Sequence, residues 1–191
     1  MVSLKPPFTL TLPSEFNLVD SFSQENPGMN SLTRAYLLVR DKEKKVEEMF
    51  ILQVADKINP GAGPMTAPPL KPYTETRMYS KGRIKQGEVE GNHLTQLMAW
   101  NPNAPSLQAV VKKGITIPSH WALQGQFLFA YHGAHVILIR YSRDVHTFGL
   151  KISEEEKAWE KGSISGNEKK AYDMFQKRFL EMIGSIQVKN S

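Results

Sequence analysis

Alternating apolar and polar residues predict several β-strands along this chain. In residues 8–12, "FTLTL", a phenylalanine and two leucines alternate with threonines, which is the period-two pattern of a half-buried strand. Pro13 predicts the end of this strand, because proline cannot donate a hydrogen bond to a β-ladder. Two longer apolar runs, 32–40 and 46–55, are separated by the polar residues 41–45. This arrangement predicts an antiparallel hairpin.

A second hairpin is predicted where the runs 121–131 and 135–142 flank a short turn that contains Gly133. A further strand is predicted over residues 91–100. The run 135–142 is apolar on both faces, with Val136 and Leu138 on one side and Ile137 and Ile139 on the other. A strand of this kind usually lies in a sheet that is covered on both sides. We therefore expect helices on both faces of the sheet.

Two capping boxes predict two helices towards the end of the chain. Ser153 and Glu156 form the first box and open a short helix that Gly162 ends. Ser165 and Glu168 form the second box and open a longer helix. The apolar stripe expected on one face of this longer helix consists of Ala171, Phe175, Phe179 and Met182.

The longer helix is predicted to reach Ile183 and to end at Gly184, because glycine readily adopts the left-handed conformation of a helix C-cap. The alternating residues 185–188 then predict a final strand that joins the sheet. We expect the helix to lie across one face of the sheet. Its apolar stripe would then pack against Val136 or Leu138.

Residues 59–73 interrupt this series of regular elements. They contain five prolines and two glycines, which excludes a helix or a central strand. The segment is predicted to be an exposed, mobile surface loop that contributes little to stability and is the first site of limited proteolysis. The rest of residues 1–191 is predicted to form a single domain around this loop.

Composition excludes several classes of protein. The chain has 191 residues, of which 40% are hydrophobic and 23% charged, a balance too apolar for disorder. No run approaches the ~18 consecutive apolar residues of a membrane span, so no transmembrane segment is predicted. A lipid anchor would have to lie outside the chain shown. The absence of cysteine excludes disulfides and thiol catalysis but leaves both the cytoplasm and the cell envelope open as locations.

Candidate catalytic and metal-binding residues are few. His132 and His135 flank a two-residue turn and could share a metal ion, but a site needs a third ligand, and the sequence does not decide whether they bind metal. Asp144 and His146 fall on one face of a strand, yet no Gly-x-Ser-x-Gly nucleophile motif accompanies them, since residues 162–166 read "GSISG". The sequence therefore predicts neither an enzyme nor a cofactor.

Much of the positive charge is local. The chain carries a formal charge of +5, and residues 71–85 contain five basic residues and one acidic residue. One interpretation is an edge strand that lysine and arginine protect from aggregation. The other is a contact surface for a protein partner, with nucleic acid less favoured. The residues predicted for that surface, which we call the basic strip, are Tyr73, Arg77, Tyr79, Lys81 and Arg83.

Both ends of the chain resemble the PsbP-like group. The resemblance covers residues 8–16, with "FTLTLP" and the following "SEF", and residues 172–188, which contain "FLEMIGSIQV". This group includes photosystem PsbP, the Ran-binding Mog proteins and bacterial DcrB-type envelope lipoproteins. The resemblance implies an α+β fold in which an antiparallel sheet lies between helical layers, an α/β/α sandwich. It also implies a non-catalytic binding or accessory role, without functional residues that can be carried over.

These observations together predict a non-enzymatic binding or accessory module that recognises a protein partner through the basic strip. The resemblance places it in a bacterial cell envelope or periplasm, where it would be a lipoprotein or a soluble domain. Two alternatives stay open at this point. One is a lipocalin-like carrier of a small apolar ligand, which requires an apolar pocket. The other is a histidine-based metal-binding protein.

Overall fold

A computed structural model describes residues 8–73, 77–86, 89–118, 121–150 and 166–188. The strands are β1 (Phe8–Thr9), β2 (Asn17–Asn26), β3 (Ser31–Lys42), β4 (Lys45–Lys57), β5 (Arg77–Gln86), β6 (Val89–Ala99), β7 (Trp121–Tyr131), β8 (His135–Asp144) and β9 (Gln187–Val188). The α-helices are α1 (Pro105–Lys112) and α2 (Gly166–Gly184), and short 3₁₀ helices span Pro27–Met29 and Val145–Phe148. Within the described ranges, no helix has both the length and the hydrophobicity needed to cross a membrane.

Seven strands form one antiparallel sheet in the order β2-β3-β4-β8-β7-β6-β5. Two sequential meanders, β2 to β4 and β5 to β8, meet where β4 pairs with β8. The two predicted hairpins are confirmed as β3–β4 and β7–β8, and the predicted strand 91–100 is β6. Strand β2 was not predicted, because seven of its ten residues are polar and only Val19 and Asn26 are even half-buried.

The final strand does not join this sheet, so that prediction is wrong. Residues Gln187 and Val188 of β9 pair instead with Thr9 and Phe8 of β1, forming a separate two-stranded sheet. Both outer positions of the large sheet are held by other strands, β2 and β5. Strands β1 and β9 therefore pair with each other, and β2 and β5 remain the edge strands of the large sheet.

Helix α2 covers one face of the sheet, which we call the α2 face and which carries Ile137, Ile139 and Tyr141. The Tyr141 ring stacks on Phe175 with 5.2 Å between ring centroids. Phe179 is fully buried and lies so close to Gly125 that a Cβ atom there would be 2.7 Å from the ring. Glycine at this position lets the helix approach the sheet at full contact.

The prediction that α2 would pack against Val136 or Leu138 is wrong, although the helix and its apolar stripe are present. Val136 and Leu138 point to the other side of the sheet, the opposite face, where they contact a separate apolar cluster. The sequence pattern shows that β8 is apolar on both faces but carries no information about which face a distant helix will choose. Ile137 and Ile139 belong to the cluster that includes Phe175.

The opposite face lacks a long helix among the described residues. Helix α1 has eight residues and buries Leu107 and Val110 against one end of this face. The other end is covered by the irregular segment 58–73. The predicted architecture, an antiparallel sheet covered by helices on both faces, is therefore wrong. Two-sided burial is real, but a proline-rich segment supplies much of the cover that helices were expected to provide.

Segment 58–73 packs because of the sheet topology. It must carry the chain from β4, in the middle of the sheet, to the edge strand β5, and so it crosses β8, β7 and β6. Leu70 is buried with Leu94 and Leu128 beneath it. The Asn92 side chain donates to the Pro68 carbonyl at 3.0 Å. The prediction of an exposed loop holds for most positions but is wrong at Leu70, the residue that anchors the segment.

A buried carboxylate on the sheet fastens α2 at its C-terminal half. Glu48 is fully buried and accepts hydrogen bonds from the Tyr141 hydroxyl and from Arg178 of α2, both at 2.9 Å. The guanidinium groups of Arg40 and Arg143 lie 3.2 Å and 3.8 Å from its other oxygen. Burial, followed by the negative charge of Glu48, raises the pKa of Tyr141. Tyr141 therefore remains a protonated donor to this carboxylate.

A second buried carboxylate, Glu168, lies at the start of α2. It is fully buried against the sheet, whereas the predicted capping box would have used it at the helix end. Its proposed partner Ser165 and the predicted short helix over 153–162 lie outside the described residues. The carboxylate bonds to strand β5, as described below.

We expect Phe179→Ala to lower the free energy of unfolding by about 3–5 kcal/mol, because it leaves a cavity where α2 meets Gly125. Met174→Ala, on the exposed side of the same helix, is the matched control and should change the free energy by less than about 0.5 kcal/mol. Urea unfolding monitored by circular dichroism measures both. Equal effects would show that α2 is not docked through Phe179.

Leu70→Ala should cost about 2–3 kcal/mol of unfolding free energy, since it removes the buried anchor of segment 58–73. The exposed neighbour Lys71→Ala should be close to neutral. Limited proteolysis adds a second measurement, because loss of the anchor should accelerate cleavage within 58–73. Unchanged stability and unchanged cleavage in the Leu70 variant would contradict this role.

Candidate functional site

An open-sided groove of about 370 Å³ lies on the opposite face, between α1 and the strands β2, β3, β4 and β8. Its lining is largely apolar, with polar groups confined to a few positions. The eleven lining residues are Asp20, Phe22, Ala35, Tyr36, Leu37, Ile51, Gln53, Pro105, Ser106, Ala109 and Arg140.

Helix α1 creates this groove, which we call the α1 groove, because the side chains on its two sides differ in size. Pro105 opens the helix, where its fixed φ angle suits the first turn. Leu107 and Val110 fill the space against the sheet. Ser106 and Ala109 face the groove with short side chains. The large residues therefore hold the helix in place, and the small ones leave room beside it.

Arg140 lies in the groove on β8. Its neighbours across the strands are Ile51 on β4 and Gln126 on β7. The Nε atom is buried and has no hydrogen-bond partner, and no described residue forms an ion pair with this guanidinium. Burying a charge without a partner costs free energy. An anionic group that pairs with Arg140 would therefore be stabilised at this position.

A row of buried amides adjoins Arg140. The Gln96 side chain donates to the Gln124 amide oxygen at 3.0 Å, and Gln124 donates to the Ser142 hydroxyl at 3.2 Å. Gln126 also donates to Gln124, at 2.9 Å. These bonds fix the floor of the sheet between the two apolar clusters of the opposite face. Arg140 therefore lies beside polar side chains that hydrogen bonds hold in place.

The predicted basic strip is divided by the structure. Strand β5 is an edge of the sheet, as the interpretation of a protected edge strand requires. Lys81 and Arg83 project from the face opposite to α2, and Arg83 pairs with Glu90 at 3.2 Å while remaining largely exposed. Tyr73 is 44% exposed in the segment that precedes the strand. A contact role for these three residues remains a prediction.

Arg77 and Tyr79 instead turn under α2. Arg77 donates to Glu168 at 2.5 Å, and the Tyr79 hydroxyl donates to the same carboxylate oxygen. The Tyr79 ring stacks on Tyr172 with 4.7 Å between centroids. Burial, and then the hydrogen bond and charge of Glu168, raise the pKa of Tyr79. These two residues fasten the helix to the edge strand and are not on one surface with Lys81 and Arg83.

The two histidines at the β7–β8 turn point to different partners. His132 stacks on the Tyr131 ring, with 4.0 Å between centroids. His135 bonds through Nδ1 to Asp56 at 2.8 Å, and Asp56 also pairs with Arg34. In the part of the chain that is described, no group of three or more histidine, aspartate and glutamate residues is placed to hold a metal ion.

Asp144 and His146 have a local structural role. The Asp144 side chain accepts the His146 backbone N–H at 3.1 Å and so caps the 3₁₀ helix that follows β8. A capping carboxylate of this kind satisfies a backbone donor that would otherwise lack a partner. The pairing therefore explains their spacing without a catalytic role.

A serine–histidine contact that the sequence did not suggest occurs on the α2 face. Ser80 Oγ lies 3.3 Å from His93 Nε2 and 2.6 Å from the Thr95 hydroxyl. Burial lowers the pKa of His93. Its Nδ1 atom is buried without a hydrogen-bond partner. A catalytic histidine would be oriented there by a carboxylate, so this contact is not a triad.

Sequence reasoning also missed Arg140. Its signal was present, because "HVILIRYS" places one arginine inside an otherwise apolar strand, and a buried charge needs a reason. The groove itself left no such signal, since its wall α1 follows β6 in sequence and covers strands β2 to β4 only in the folded chain.

Comparison with known proteins identifies no family. No family model matches the chain, and no curated protein matches it. A crystal structure of a protein from Bacteroides thetaiotaomicron VPI-5482 is similar over 98% of this chain, with a TM-score of 0.45 and 11% sequence identity. The chain spans about half, 47%, of the length of that protein. The resemblance to the PsbP-like group stays a prediction.

Arg77→Met should lower the free energy of unfolding by about 3–5 kcal/mol, because it removes a cation that neutralises the buried Glu168. Lys81→Met, on the same strand but exposed, should change it by less than about 0.5 kcal/mol. Urea denaturation of both variants measures the difference. If the two substitutions have the same small effect, Arg77 does not fasten α2 and its assignment to the contact surface regains support.

Proposed function

We propose that the protein is a non-enzymatic binding protein that holds a small apolar ligand in the α1 groove. The observation that carries this proposal is the groove itself, whose lining combines apolar side chains with Arg140, a cation that no described carboxylate neutralises. Binding sites for small molecules commonly have volumes of roughly 300–1,000 Å³, mostly apolar walls and a few placed polar groups. The α1 groove meets each of these conditions. This proposal corresponds to the ligand carrier that the sequence left open, with an open groove in place of a closed barrel.

The size and openness of the groove set the strength of binding. Each buried methylene contributes about 0.8 kcal/mol, so eight to ten of them contribute roughly 6–8 kcal/mol. Association costs at least about 4 kcal/mol. The difference, at most about 2–4 kcal/mol, corresponds to dissociation constants of roughly 1 mM or weaker. Contact with a charged group would add to this affinity.

Binding without chemistry is the form that the lining favours. Tyr36 and Ser106 are the lining residues with a hydroxyl group, and none of the eleven lining residues is a histidine that could activate either. Asp20 and Arg140 are the charged lining residues. They lie on β2 and β8, three strands apart in the sheet, which corresponds to roughly 14 Å. This separation keeps them from acting together on one reacting atom.

A protein partner, the role first predicted, remains a second candidate, and strand β2 favours it. This edge strand of ten residues contains no lysine, arginine or proline, whereas the other edge, β5, contains four basic residues. Leu18 and Phe22 on β2 are each 54% exposed. An edge strand without lysine, arginine or proline can accept a strand from another protein. Location in a cell envelope and attachment as a lipoprotein stay predictions.

Filling the groove tests the first proposal. The neutral fluorescent probe N-phenyl-1-naphthylamine should bind saturably, and Ala109→Trp, which places an indole in the groove, should weaken its affinity by about tenfold or more. Val111→Trp, on the exposed side of α1, should leave the affinity unchanged. Thermal unfolding of each variant confirms that the fold is intact.

Absence of saturable probe binding to the unmodified protein would refute the proposed function. Equal weakening by the two tryptophan variants would place the probe elsewhere. Capture of a protein partner that survives Ala109→Trp but is lost on changing β2 would instead support the second candidate.

A further inference from the structure

We propose that the ligand of the α1 groove is a monocarboxylate with an apolar tail, and that Arg140 binds its carboxylate. The inference rests on the proposed function and adds the chemical class of the ligand. Nothing else described here assigns a role to Arg140.

The other arginines provide an internal comparison. The chain contains seven arginines, all within the described residues. Six of them lie within 4.0 Å of a carboxylate: Arg34 of Asp56, Arg40 of Glu47, Arg77 of Glu168, Arg83 of Glu90, and both Arg143 and Arg178 of Glu48. Arg140 is the one arginine without a carboxylate partner among the residues that the structure describes. Carboxylates thus neutralise the other arginines, and we infer that at Arg140 a carboxylate of the ligand takes this place.

The geometry favours a carboxylate for a second reason. A guanidinium group presents paired N–H donors that match the two oxygens of a carboxylate. Gln53 also lines the groove, one strand away and diagonal to Arg140, because it pairs with Leu138 two residues before. Diagonal neighbours of this kind are within reach of long side chains. The Gln53 amide can thus donate to the same carboxylate.

The remaining lining residues indicate the length and charge of the rest of the ligand. From Arg140 the groove runs past Ile51 and Leu37 to Phe22 on β2, about 14 Å in strand spacings. Asp20 carries a negative charge at that far end, which disfavours a second anionic group on the ligand. A ligand with one anionic head group at Arg140 and an uncharged tail towards Asp20 matches the charges at both ends of the groove. A phosphate monoester, with its larger charge, fits less well.

The test compares ligands that share a twelve-carbon tail and differ in the head: dodecanoate, 1-dodecanol, dodecyltrimethylammonium and dodecyl phosphate. Each competes with N-phenyl-1-naphthylamine for the protein of residues 1–191, below the concentration at which it forms micelles or, for dodecanol, below its solubility limit. Dodecanoate should bind about tenfold or more tightly than dodecanol, because it gains a charge-assisted hydrogen bond. The trimethylammonium compound should bind most weakly. Added salt should reduce the advantage of dodecanoate over dodecanol.

Arg140→Met should abolish this preference, so that dodecanoate and dodecanol bind alike, while the probe still binds. Arg83→Met removes an exposed arginine far from the groove and is the matched control, which should keep the preference. Should Arg140→Met fail to fold, Arg140→Lys replaces it, and the salt dependence of the unmodified protein gives an independent measurement. Lysine keeps the charge but loses the paired donors, so the preference should shrink without vanishing.

The outcomes separate the two proposals. If neither the probe nor any tailed ligand binds, the proposed function fails and this inference fails with it. If dodecanoate and dodecanol bind equally to the unmodified protein, or if Arg140→Met keeps the preference, the groove binds apolar ligands but Arg140 does not bind their head. Tighter binding of dodecyl phosphate than of dodecanoate would overturn the assignment to a carboxylate.

Discussion

Contact between α2 and the sheet is the interaction on which the rest of the structure depends. Phe179 lies against Gly125, where any side chain would collide with its ring. Two buried carboxylates fasten α2 to the sheet. Glu48 on the sheet pairs with Arg178 in the C-terminal half of the helix, and Glu168 at the start of the helix pairs with Arg77 on β5. Helix α2 covers strands of both meanders on one face of the sheet, and α1 and segment 58–73 pack on the opposite face. The groove lies where the short side chains of α1 leave room above β2, β3, β4 and β8.

Local features of the fold could be predicted from the sequence, and long-range features could not. The β3–β4 and β7–β8 hairpins follow from apolar runs separated by short polar turns. The helical stripe of α2 follows from its spacing. The face that α2 covers, the partner of β9 and the course of segment 58–73 depend on contacts between distant residues. Proline content correctly excluded regular structure in that segment but wrongly implied that Leu70 would be exposed.

The candidate site shows the same limit. Tyr73, Lys81 and Arg83 lie on the surface as a charge pattern suggests, yet Arg77 and Tyr79 from the same strip serve the helix. Alternation along a strand sends neighbours to opposite faces, so a cluster in sequence is not a cluster in space. Arg140 is informative for the reverse reason. An isolated charge in an apolar strand carries more functional information than a run of charges at an edge.

The β4–β8 pairing also has a consequence for the order of folding. Each meander can form from residues close in sequence, but the β4–β8 pairing that unites them joins residues as far apart in sequence as Glu48 and Arg143. Forming the β4–β8 pairing carries the entropic cost of closing this long loop, and such long-range pairings form slowly. Before it closes, β4 and β8 are bare edges with apolar residues on both faces. The chain is then most exposed to aggregation, and the β4–β8 pairing ends that interval because it removes both edges.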